Sequence, residues 1–113
     1  MKQSTHNLRV VFFRQGGSLC GFEVTGHAGY GEAGNDIVCS AVSSSVMLVC
    51  NTITDFFHAD ANVSVGENDI ALRLNDSDDP SEKLLDSFRV HMEGISEDYP
   101  GVKVEIRDVS SGK

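Results

Sequence analysis

Between Asp36 and Asp55 the chain carries no charged residue: the run IVCSAVSSSVMLVCNTIT spans 37 to 54. So apolar a segment has to be covered, and the rest of the chain must supply the cover. Its length alone would suit a membrane span, but Ser40, Ser43, Ser44, Ser45, Asn51, Thr52 and Thr54 make it too polar. The expectation is a helix buried on most of its circumference. At about 100° per residue, Cys39, Val42, Val46, Cys50, Ile53 and Phe57 share one stripe, with Val38, Val49 and Phe56 beside it. Met47 and Leu48 point elsewhere. A sheet covers one side of such a helix, so the remaining apolar side calls for a second helix or another subunit.

The sheet is legible on both sides of this run. Leu8 to Phe13 (LRVVFF) is a β-branched and aromatic strand. A Gln15-Gly16-Gly17-Ser18 turn leads to a return strand, Leu19 to Thr25, on which Cys20, Phe22 and Val24 share a face. Cys20 is on that count a small core residue. Ala61 to Val65 and Asp69 to Leu74 alternate around Gly66-Glu67-Asn68 as a second hairpin. Asp79 is placed to cap a second helix, with Pro80 at its first position and Glu82 completing a capping box. Leu84, Leu85, Phe88, Met92, Ile95 and Tyr99 form that helix's apolar stripe. Pro100-Gly101 ends it, and Val102 to Val109 is a last alternating strand. The order ββαββαβ predicts an α+β domain: a mainly antiparallel sheet packed with two helices. Residues 1–113 form one domain, with 1–6 and 110–113 expected to fray.

Charge and cysteine use narrow the function. A net charge of −8 argues against direct nucleic-acid binding, which needs clustered Lys and Arg, and favours encounter with a basic partner. Three irregularly spaced cysteines make no disulfide framework; with a polar N-terminus lacking an export segment, they predict reduced thiols in the cytoplasm. The glycines at 26, 29, 31 and 34 lack the lysine and hydroxyl pair of a phosphate loop. Cys20, His27, Cys39 and Cys50 could offer metal ligands, but no ligand clustering is present, and Cys39 and Cys50 lie ~16 Å apart on one helix. No metal and no cofactor are expected.

The chemistry gathers where the glycine-rich stretch meets the long helix. Asp36 fits an N-cap, making Cys39 the third helical residue, at the positive end of the helix dipole where a thiolate is favoured. His27 lies at the end of the preceding strand. In the catalytic reading Cys39 attacks a carbonyl, His27 relays protons, and the unpaired N–H groups of the first helical turn hold the oxyanion. Asp36 has two candidate jobs, capping the helix or orienting His27; capping is favoured because an acidic neighbour opposes thiolate formation. The alternative for Cys39 is a structural thiol on the stripe with Cys50. From the residues alone both readings stand.

Gly26-His27-Ala28 followed by Gly34-Asn35-Asp36-Ile37-Val38-Cys39-Ser40-Ala41-Val42-Ser43 resembles the signature of the ribosomal-processing cysteine protease family, Prp: a GHA element, a variable glycine-containing loop, and a G-x-D-I-V-C-A-A-V-S helix start. Ser40 stands where the family usually has Ala. The resemblance implies a cytoplasmic bacterial endopeptidase that trims the N-terminal extension of a large-subunit ribosomal protein in support of ribosome assembly. It implies a Cys39–His27 dyad, Gly26 as a hinge for a loop over 28–35 that moves with substrate, and a homodimer. It also implies a cleavage segment with paired phenylalanines followed by basic residues. Ser43, one turn beyond Cys39, and Ser40 beside it are candidate substrate contacts. The reading from another class is a non-catalytic, acidic ribosome-assembly binding module in which Cys39 is structural; a general hydrolase of small esters or amides is a third.

Overall fold

The computed structural model describes residues 8–26 and 37–109. His27, Asp36, the 28–35 loop and the expected frayed termini lie outside the described residues. Five strands and two helices follow the predicted order: β1 (Leu8–Gln15), β2 (Ser18–Thr25), α1 (Ile37–Asn51), β3 (Ala61–Val65), β4 (Asp69–Leu74), α2 (Asp79–Asp98) and β5 (Val102–Asp108). The strands form one sheet in the order β3-β4-β2-β1-β5. The β1–β2, β2–β4 and β3–β4 pairs are antiparallel, and β1–β5 is parallel.

Register explains why the helices share one face. Val10 pairs with Val24 and Val104, Phe12 with Phe22, Phe22 with Leu72, and Leu8 with Val102, so alternate positions across four strands make one apolar surface. Val38, Val42, Val46, Val49 and Ile53 of the first helical segment and Leu85, Phe88 and Met92 of α2 pack into the same core. Phe88 stacks edge-on against Phe12 and Phe22, with ring centroids 5.4 and 5.0 Å away. The two helices also touch directly, where a His91 ring nitrogen lies 3.0 Å from the Ser45 hydroxyl. Residues 38–56 are long and apolar enough by length and composition to cross a membrane; in this fold that segment lies along the sheet.

Four expectations change. The thiol of Cys20 leaves the core face because β2 bulges there: Phe13 pairs with Gly21 but Arg14 with Leu19, so Leu19 turns inward and Cys20 is half-buried. The cap of α2 is Asp78, not Asp79: its carboxylate accepts from the Ser81 N–H at 3.1 Å, while the Glu82 carboxylate accepts from the Asp78 N–H at 3.1 Å. The reciprocal pair is thus present one residue earlier, and it also satisfies the buried hydroxyl of Ser81. Phe56 and Phe57 do not continue the buried stripe. A π-helical turn over Thr52–Phe56 widens the helix at that point, and Phe56 ends 77% exposed. Tyr99 leaves its stripe because the chain is already extended at this C-cap residue.

Candidate active site

Cys39 is the third residue of α1 and is half-buried. Its place at the helix start leaves the Val38 and Cys39 backbone N–H groups without intrahelical acceptors, on the side of positive potential. Cys39, Val42, Ser43, Val46 and Met47 form one wall of an open cavity of about 170 Å³. Their spacing is that of a single helix face. Leu8, Val24 and Ile70 supply apolar surface from three strands. The turn between β3 and β4, with Gly66, Glu67, Asn68 and the first residue of β4, Asp69, closes another side.

That turn is tied to the end of β2. The Gly26 N–H donates to the Asn68 carbonyl at 3.1 Å, and the Gly66 N–H donates to the Asp69 carbonyl at 2.7 Å. Gly26 has φ of 85°, a left-handed conformation that suits glycine and turns the chain out of the sheet immediately before His27. It also lines the cavity. The strand that leads to His27 and the helix that carries Cys39 therefore border one space. Whether the imidazole enters it falls on a residue outside the description, as does the role of Asp36.

The serines separate. Ser43 lines the cavity one turn beyond Cys39; Ser40, a further 100° around the helix from Cys39, is exposed and does not line it. Cys50 is only 6% exposed, and burial pushes its thiol from an ordinary 9.0 up to about 11. Burial also raises the Cys20 thiol. Neither borders this cavity. Among the described residues no group of three or more His, Cys, Asp or Glu is arranged to hold a metal ion. Sequence reasoning missed Glu67, Asp69, Met47 and the three strand residues of the cavity. Only the sheet order, which sets β4 beside β2, brings that turn to Cys39.

Comparison with known proteins gives a consistent picture. The family model for cysteine protease Prp matches residues 8–103. The ribosomal processing cysteine protease Prp of Bacillus subtilis is 28% identical over 88 residues, which cover 72% of this chain and 79% of that one. A Streptococcus mutans protein of known crystal structure superposes with a TM-score of 0.82 at 30% identity, covering 91% of this chain and 96% of the other. An essential ribosomal processing protease Prp from S. aureus, crystallised with a covalently linked product peptide, superposes with a TM-score of 0.80 at 22% identity, covering 88% of this chain and 99% of that one.

Proposed function

Because the chain belongs to the cysteine protease Prp family, whose members are hydrolases, we propose that it is an endopeptidase that removes the N-terminal extension of a large-subunit ribosomal protein. The observation that carries this reading is the setting of Cys39: a half-buried thiol at a helix start, in the wall of an open cavity bordered by the residue before His27. The B. subtilis relative is a ribosomal processing protease, and the S. aureus relative has been captured with substrate and with product peptides. Both support a peptide as the ligand here.

In the proposed mechanism the peptide lies across the cavity with an apolar side chain against Leu8, Val24 and Ile70. The Cys39 thiolate attacks the scissile carbonyl, forming the S–C bond. Backbone N–H groups at the start of α1 receive the oxyanion. His27 takes the thiol proton and passes it to the leaving amine as the C–N bond breaks; water then releases the acyl group and returns the thiol. Gly26 serves as the hinge for the segment bearing His27, and Asp36 caps α1. Ser43 contacts the bound peptide. Ser40, facing away from the cavity, is not assigned that role. The enzyme works in the cytoplasm as a homodimer, whose contact covers the outer face of α1 around Leu48, which is 67% exposed and lies off the cavity.

Cys39→Ala is the test. Incubated with the extended ribosomal protein and read by intact mass, wild type releases the N-terminal fragment, while the variant's rate falls at least about 1,000-fold with the fold retained. A Cys39→Ala protein that cleaves at the wild-type rate removes the nucleophile assignment. Binding without product from wild type supports instead the non-catalytic acidic assembly module.

A further inference from the structure

The two helices cover their face of the sheet unequally. α2 packs against β2 and β5, and it meets α1 where the His91 ring nitrogen lies 3.0 Å from the Ser45 hydroxyl. Met47 stands two residues further on, about 200° around the helix, so it looks away from α2. It lines the Cys39 cavity together with Ile70 of β4. The sheet continues past Ile70 by one more strand, because β3 is the edge in the order β3-β4-β2-β1-β5.

Register fixes what β3 shows on that side. Val65 pairs with Ile70, and Ile70 with Val24; Val63 pairs with Leu72, and Leu72 with Phe22. Directly opposed residues of neighbouring strands share a face. Val24, Ile70 and Val65 are therefore one apolar row, and its first two members line the cavity. Along it Val24 is buried, Ile70 half-buried and Val65 73% exposed. In the row beside it Phe22 and Leu72 are buried and Val63 is 40% exposed. With Met47 at 52%, the result is an exposed apolar shelf that opens directly from the space beside Cys39.

Spacing identifies what lies on the shelf. Opposed residues on neighbouring strands are ~5 Å apart, so Val65 is ~10 Å from Val24 along the row. Side chains on one side of an extended peptide recur every two residues, at ~6.7 Å. A side chain resting between Val24 and Ile70 sets the next one on that side over Val65. The residue between them points away from the sheet, so this seat is separate from the residue adjoining the first. A peptide crossing the cavity reaches the shelf with no change of direction.

Resting on the protease reading above, we propose that Val65, with Val63 and Met47 at its margins, is a remote apolar subsite. It receives a peptide side chain two residues from the one seated over Val24 and Ile70. Its effect falls on KM, and it is insensitive to salt because no charge is involved.

The test uses peptides that keep the residues flanking the cleaved bond of the natural extension. A single Leu, Ser or Lys is moved through each remaining position of an otherwise neutral polar sequence. At one position, on one side of the bond, wild type favours Leu over Ser by about ten-fold in kcat/KM, as expected for ~55 Å² of apolar surface removed from water. Val65→Thr reduces that ratio to about three-fold, and Val65→Glu makes Lys the favoured residue there by improving the Lys peptide. That gain is one a damaged fold cannot produce. Equal rates for Leu and Ser at every position, or a ratio unchanged in Val65→Glu, overturn the assignment while leaving the protease intact. A ratio unchanged while Val65→Glu shifts the sedimentation of the protein gives the shelf to a second copy of the chain instead. Failure of wild type to cleave any peptide, including the natural extension's own sequence, overturns the protease reading and this inference with it.

Discussion

Cys39 and Cys50 stand on the same helix, two readings of one residue type separated by three turns. Cys50 faces the sheet within the core, 6% exposed, with its thiol pushed up to about 11. Cys39 is half-buried where the helix begins, beside N–H groups that have no intrahelical acceptor and an open cavity. Sequence periodicity puts both on one stripe and cannot distinguish them. The difference is made by what the stripe meets: sheet side chains at one end, and at the other a space bounded by the end of β2 and the turn between β3 and β4. Exposure here follows position along the helix rather than the helix face.

The largest expected consequence is chemical. At pH ~8 a thiol at about 11 is thiolate in only about one molecule in a thousand, so iodoacetamide should modify Cys39 at least about 100-fold faster than Cys50. Peptide mapping over time reads this directly, with Cys20 between the two. Equal slow labelling at both positions would erase the contrast and return Cys39 to the core.

A smaller effect concerns stability. Cys50 keeps its proton in the folded protein after an exposed thiol would have lost it, so its contribution is complete below pH ~9 and is lost as pH rises through about 11. Thermal melts of wild type should fall across that window, and melts of Cys50→Ala should fall less steeply. The same variant should be about 1 kcal/mol less stable at neutral pH, from the small void it leaves in the core. Cys39→Ala, at an open cavity rather than in the core, should lower the midpoint at neutral pH by less. If the two variants behave alike in these melts, burial does not separate the two thiols.

Much of this molecule was legible because the signals were local. Alternation located all five strands, and the uncharged run with its apolar stripe located α1. The catalytic candidate came from Asp36-Ile37-Val38-Cys39, where a helix start and a thiol coincide within four residues. What escaped depended on partners distant in sequence or on choices between neighbours. Two adjacent aspartates precede Pro80, and only the hydrogen bonds show that Asp78 is the cap. Cys20 alternates correctly with Phe22 in sequence, yet the bulge opposite Phe13 and Arg14 breaks that parity. The parallel pairing of β5 with β1, and the arrival of Glu67 and Asp69 beside Cys39, follow from sheet order, which no local pattern encodes.

The most direct measurement is covalent trapping by a peptide that ends in paired phenylalanines carrying a chloromethyl ketone, followed by tandem mass spectrometry. The account predicts a single adduct on the sulfur of Cys39, formed in proportion to lost cleavage, with Cys20 and Cys50 unmodified. Activity lost through an adduct on Cys20 or Cys50, or lost while Cys39 remains free, would contradict it.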